Sequence, residues 1–232
     1  YAASKLDISR FHPDQNERDV AEQLVSLLIP VQKAYCSDRG FEACVMGQQV
    51  LGGHGYVVEW GLEQNVRDAR IAQIYEGTNG VQALDLMGRK TVRSNGKLLQ
   101  LLVQEMDEFT AANMNNDRLQ QHLAIFEEAR AGLLHCTTTV LSRALDNPDE
   151  IGAASYAYME LLGLVLYCFM WLRILTATSS SEPENGYPPD YVDGLVKVGE
   201  FFMHRLMPRA QSLAAEIEAG AETLMSLRAE QF

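Results

Sequence analysis

The stretch from Gln48 to Lys90, QQVLGGHGYVVEWGLEQNVRDARIAQIYEGTNGVQALDLMGRK, gathers the residues best able to do chemistry. It holds a glycine turn (Gly52, Gly53, Gly55), an Arg67–Asp68 pair, and an apolar run that delivers Glu76 to the start of a helix. A carboxylate beside Gly77, bounded by Ile74 and Tyr75, is a candidate general base. Apolar neighbours disfavour the charged form and lift the pKa toward the range of a useful proton acceptor. An acid at that place equally complements the dipole of the following helix from its first turn. Spacing alone leaves both readings open.

Other chemistries find no support. His12, His54, His122, His135 and His204 show no metal-ligand spacing, so no metal site is expected. Neither a GxSxG elbow nor a P-loop is present. Cys36, Cys44, Cys136 and Cys168 are widely spaced, form no CxxC pair, and read as buried apolar side chains in a reducing, cytoplasmic setting. The formal net charge of −12 is the wrong sign for gripping a phosphate backbone, so nucleic acid is not an expected partner.

The elements that carry these residues read as helices throughout. The chain has 232 residues, 47% hydrophobic and 22% charged, with seven Pro and clustered Gly, which excludes wholesale disorder and favours long helices. Val20, Leu24, Leu27, Leu28 and Val31 form a helical stripe that Pro30 is expected to kink or split. A second helical stretch runs over 31–50 into the glycine turn, a short helix follows over 63–71, and Thr78 caps a helix reaching about Val92. Ser94, Asn95 and Gly96 read as a linker. Beyond it Leu98, Leu102, Met106 and Phe109 share a face, as do Leu119, Leu123, Phe126, Ala129 and Leu133.

The segment Ile151–Leu175 is apolar nearly all round and long enough to span a bilayer. Glu160 near its centre favours the central helix of a bundle instead, so no membrane span is expected. A polar loop is expected over 176–190. Pro208 then opens a last helix with the stripe Leu213, Ile217, Leu224 and Leu227. No period-2 strand and no signal peptide are visible, and the chain opens at Tyr1, which implies that something upstream was removed. The expected fold is all-α: a truncated up-and-down bundle over 1–92, then a second helical bundle over 93–232.

Three coupled motifs give this segment a family resemblance. Gln49-Val50-Leu51-Gly52-Gly53-His54-Gly55-Tyr56, Arg67-Asp68 and Ile74-Tyr75-Glu76-Gly77-Thr78 resemble, in order and spacing, the C-terminal catalytic domain of the acyl-CoA dehydrogenase family. The FHPD and TNGVQALDLMGRK flanks resemble its long, 3-methylmercaptopropionyl-CoA dehydrogenase-like members, which carry an appended C-terminal helical domain.

The resemblance implies FAD-dependent α,β-dehydrogenation of an acyl-CoA thioester. Glu76 then matches the base that takes the α-proton, with the backbone N–H at its position donating to the thioester carbonyl. Gln49, Gly52 and Gly53 match a turn that approaches the FAD of a neighbouring subunit. Thr78 matches a residue touching FAD, and Gln82 replaces a Gln that the family often has where Gly80 stands. Tyr75 and Gly77 line the acyl site, and Arg67–Asp68 forms a structural ion pair. A homodimer or homotetramer and an electron-transfer flavoprotein-type acceptor follow, and the chain alone is expected to be inactive. Two other readings stay open: a non-catalytic helical assembly module, and an acyl-CoA oxidase of the same superfamily. The negative charge counts against the DNA-associated flavoprotein relatives.

Overall fold

The computed structural model describes residues 1–178 and 187–231. Among these residues the ordered elements are helices and no strand occurs. Most of the expected 176–190 loop, residues 179–186, lies outside the described residues.

Two helices open the chain, α1 (Ala2–Phe11) and α2 (Gln15–Val50). Helix α1 lacks an apolar stripe and was not legible in the sequence. It is moored at its N-terminal end: the Tyr1 hydroxyl donates to Glu105 Oε2 at 2.7 Å, Lys5 pairs with the same carboxylate, and the Tyr1 ring stands edge-on to Phe169. Burial and the Glu105 contact push the Tyr1 phenol well above its ordinary pKa. Asp14 caps α2, its carboxylate accepting from the N–H of Asn16 and Glu17.

Of the kink or split expected at Pro30, the split does not occur, since α2 runs on through it. A proline inside a helix costs about 3 kcal/mol. Here Leu24, Leu27, Leu28, Val31 and Ala34 are all buried on both sides of it, and that packing holds the helix through the missing hydrogen bond.

A glycine-rich turn leads into the short α3 (Gly53–Tyr56) and then α4 (Leu62–Ile71). Helix α5 (Asn79–Leu84) continues through a wider π turn over Asp85–Val92. Asn95 (φ 50°) and Gly96 (φ 73°) then reverse the chain, so the expected linker is a tight turn. It is followed by α6 (Lys97–Asn113), α7 (Gln120–Asp146) and α8 (Asp149–Thr178). The remainder is α9 (Pro189–Phe201), a π turn at Phe202–Leu206, α10 (Arg209–Glu218) and α11 (Glu222–Met225).

Helix α8 is the centre of the molecule. It is long and apolar enough to cross a membrane, yet Tyr158, Met159, Leu162, Val165 and Leu172 are fully enclosed by neighbouring helices. Phe169 stacks on Phe126 of α7 at 5.9 Å. The core is continuous across residue 92, since Leu24, Leu27 and Val31 of α2 and Leu86 and Met87 share one cluster with α6, α7 and α8.

Two local expectations fail. Leu224 and Leu227 are exposed rather than continuing the stripe of α10. That helix stops at Glu218 because Gly220 turns left-handed (φ 72°) and lets Ala221 N–H reach Glu150 Oε1 at 3.1 Å. The cysteines also divide: Cys136 and Cys168 are buried, their thiols pushed up to about 11 and about 12 by desolvation, whereas Cys36 is exposed and Cys44 half-buried.

Candidate active site

Glu76 occupies a hairpin of backbone between α4 and α5. The N–H groups of Ile74 and Tyr75 both donate to Ile71 O (2.9 and 3.0 Å), and Asn79 N–H closes the loop on Gln73 O at 3.2 Å. Between these anchors the chain turns left-handed twice, at Glu76 (φ 54°) and Gly77 (φ 85°). For a residue with a Cβ that conformation costs about 1–2 kcal/mol. Such strain persists only where the surroundings hold it, and it clusters at functional sites. Gly77 is required by its φ, which a residue with a Cβ rarely adopts, and a Cβ there would also have to displace the Gln82 amide, 2.8 Å away.

The clamp that holds this turn comes from α2. Asp38 is buried, and its Oδ1 accepts from Gln73 Nε2 at 2.5 Å and from Asn79 Nδ2 at 2.6 Å. Asn79, also buried, donates further to Ala34 O and Ser37 Oγ and accepts from Lys33 Nζ at 2.7 Å. One carboxylate therefore grips the residue three before Glu76 and the residue three after it. Sequence reasoning missed Asp38 and Asn79. The visible trace was an acid set among the apolar positions Val31, Ala34 and Tyr35 of a helix.

Both readings of Glu76 from sequence need correction. The side chain is exposed, as are Ile74 and Tyr75, so this chain's own residues do not desolvate the carboxylate. Nor does Glu76 sit in the first turn of α5, which has no acidic residue there; it lies two residues before the cap. Thr78 is that cap, its Oγ1 accepting from Val81 N–H. Among the described residues nothing accepts the backbone N–H of Glu76. An outward carboxylate and an unused donor on the same residue are able to meet one ligand.

The Arg67–Asp68 ion pair does not form. Asp68 accepts instead from Gln64 Nε2 at 2.7 Å, one turn back on α4, and Arg67 points to solvent. The positioning role expected of that pair falls to Asp38. From α4 the Arg70 side chain reaches the turn, donating to Gln73 Oε1 at 2.9 Å with its guanidinium over the Phe41 ring.

The remaining candidates divide into two places. Gln82 lies beside the turn, its amide aimed at Glu76 O (3.4 Å), and lines an open groove of about 670 Å³ with Val81, Arg89, Arg93 and Ile151. Gln49 lies at the far end of α2, eleven residues beyond Asp38 and about 17 Å along the helix axis, and Gly52 and Gly53 follow just past that end. The glycine turn thus follows the end of α2, away from the Asp38 clamp that holds the Glu76 turn. Gly52 needs its left-handed φ of 56°, and Gly55 is fixed by packing, because its Cβ would strike Gln48 O at 2.1 Å. Gly53 meets neither constraint: its Cβ would point into open space. Nothing inside the chain requires glycine there, which leaves the backbone open to an outside group. Among the described residues no cluster of His, Cys, Asp or Glu is arranged to hold a metal ion.

Comparison with known proteins adds the family. Residues 102–228 match the family model described as acetyl-CoA dehydrogenase C-terminal like, and residues 14–90 match that of the acyl-CoA dehydrogenase C-terminal domain. The chain is 27% identical to 3-methylmercaptopropionyl-CoA dehydrogenase of Ruegeria pomeroyi over 225 residues, covering 95% of this chain and 37% of that protein. It is 27% identical to the broad-specificity linear acyl-CoA dehydrogenase FadE5 of Mycobacterium tuberculosis, over 90% of this chain and 35% of the relative. A butyryl-CoA dehydrogenase of Syntrophomonas wolfei is 32% identical over 126 residues, 54% of this chain. The chain spans little more than a third of the length of the first two relatives. With one family model matching more than half of its residues, the chain belongs to the acyl-CoA dehydrogenase family, in that family's C-terminal domains.

Proposed function

We propose that this chain supplies the catalytic base of an FAD-dependent acyl-CoA dehydrogenase, an oxidoreductase that introduces an α,β double bond into an acyl-CoA thioester. The observation that carries the reading is the strained, clamped turn at Glu76, which offers a carboxylate and a free N–H from one residue. A thioester α-proton is too weakly acidic for an unassisted carboxylate. A fixed donor at the carbonyl oxygen stabilises the charge that develops as the proton leaves, and the Glu76 N–H is suited to that task. Glu76 takes the α-proton, while Tyr75 and Gly77 border the acyl chain. Because Glu76 is exposed here, the acyl group itself and its surroundings in the assembled enzyme must exclude water from it.

FAD fits the residues present. Gly53 leaves its backbone open to close approach with Gln49 and Gly52 beside it, while Thr78 and Gln82 offer polar groups at the Glu76 turn. FAD held there would supply the acceptor for the hydride that leaves Cβ. The run of about 17 Å along α2 from Asp38, which holds the Glu76 turn, to Gln49 suits a glycine turn that serves the flavin of another subunit. A homodimer or homotetramer and an electron-transfer flavoprotein-type acceptor belong to the same proposal, as do a division of the chain near residue 92 and a cytoplasmic setting. Val50, Tyr56, Val58 and Trp60 crowd the surface near the glycine turn, the apolar exposure that a subunit contact would cover.

The deciding experiment uses the flavin-loaded enzyme containing this chain, a panel of acyl-CoAs and an artificial electron acceptor. Acyl-CoA should bleach the flavin, and Glu76→Gln should slow turnover at least about a hundredfold. Equal activity in the variant would end the assignment.

A further inference from the structure

Helices α2 and α8 cross in a single register that leads to the Glu76 turn. Along α8, Tyr156, Glu160, Gly163 and Tyr167 stand four, three and four residues apart, on one face. Each meets α2. The Tyr156 hydroxyl donates to Asp38 Oδ2 at 2.5 Å. Glu160 Oε2 pairs with Arg39 Nη2 at 3.1 Å, buried on the α8 side. Gly163 lets the Tyr35 ring lie against the α8 backbone, and Tyr167 stands edge-on to Tyr35 at 5.1 Å.

The first of these contacts does something the others cannot. Asp38 uses Oδ1 for the two donors that clamp the Glu76 turn, Gln73 and Asn79. Its Oδ2 is held only by Tyr156 among the described residues. A carboxylate with one oxygen free turns about its Cβ–Cγ bond, a torsion that is soft for Asp. With Oδ2 pinned from α8, Oδ1 stays aimed at both clamped residues.

We propose that Asp38 and Tyr156 are positioning residues for Glu76, and that α8 thereby sets the geometry of the base from the C-terminal part of the chain. This rests on the reading of Glu76 as base. Neither residue touches substrate; both act through Gln73 and Asn79. The appended helices are then part of the catalytic apparatus and not only an assembly element.

The test compares Tyr156→Phe, Asp38→Asn and Asp38→Ala in the flavin-loaded enzyme with steady-state kinetics, thermal unfolding, and amide hydrogen exchange over residues 73–80. For Tyr156→Phe, kcat should fall about tenfold or more, with KM within about twofold, because a displaced base costs turnover and not binding. Its thermal midpoint should move by no more than about 4 °C, the effect of losing one half-exposed hydrogen bond. Exchange over 73–80 should quicken while α8 keeps its protection. Asp38→Asn, which retains an acceptor, should recover part of the turnover that Asp38→Ala loses. Unchanged kcat and unchanged exchange in Tyr156→Phe would overturn the proposal, as would a loss of kcat that only mirrors the fraction unfolded. Full activity in Glu76→Gln would refute the base, and the positioning role with it. The exchange measurement would then show whether the clamp exists apart from the chemistry.

Discussion

Replacing Gly163 by alanine should destabilise the protein, although alanine is the better helix former. An alanine Cβ at residue 163 would lie 2.4 Å from two ring atoms of Tyr35. Normal carbon–carbon contact is about 3.5–4.0 Å, so the overlap exceeds 1 Å. The ring has nowhere to go: Tyr35 is buried, has Tyr167 against it, and carries the Arg39 guanidinium 5.1 Å from its centroid. Overpacking of this kind costs about 1–3 kcal/mol, and an immobile ring puts the site at or above the top of that range. The gain in helix propensity returns about 1 kcal/mol. The net loss is therefore about 2 kcal/mol, or about 4–8 °C in a chain of this size.

Gly152 of the same helix provides the control. Its Cβ would meet nothing within 4 Å, so Gly152→Ala should stabilise by about 0.5–1 kcal/mol. Urea unfolding followed by far-ultraviolet circular dichroism measures both. Gly163→Ala as stable as the parent, or the two variants shifting in the same direction, would refute the close approach of α2 and α8.

Phe126→Ala, at a fully buried ring stacked on Phe169, should cost about 3–5 kcal/mol in the same assay. Thr78→Ala removes the cap of α5 and should cost about 0.5–2 kcal/mol, with exchange quickening at Val81. Glu160 gives a pH signature. Burial raises its pKa above the ordinary 4.5 despite the opposing Arg39, so its contribution to stability is full below that value and is lost as pH rises through the folded-state value. Glu160→Gln does not titrate, so its stability relative to the parent should improve as pH climbs from about 4 toward neutrality; a difference independent of pH would contradict the burial.

The elements around Glu76 were legible because their signals are local. Thr78 caps within three residues, Gly77 is demanded by its own φ, and α4 begins within a residue of where its pattern starts. What failed was long-range. Asp38 finds Asn79 and Tyr156 at separations of 41 and 118 residues, and periodicity says nothing about such pairs. Arg67–Asp68 looked like a pair because the two adjoin in sequence, yet neighbours on a helix point about 100° apart, and Asp68 found Gln64 one turn away. The split expected at Pro30 failed for the converse reason: a local rule was overridden by apolar packing on both sides of it. The exposure of Glu76 was hidden because apolar sequence neighbours do not guarantee a covered side chain.

The enclosure of α8 has a consequence for how the protein is made. A ribosome releases α2, α6 and α7 before the thirty-residue apolar helix that packs among them. When that helix emerges its shelter already exists, and α10 has only to close over it. A circular permutation that moved α8 ahead of α2 would keep every native contact. It would also release the segment most easily mistaken for a membrane anchor into a cell that has not yet made its cover.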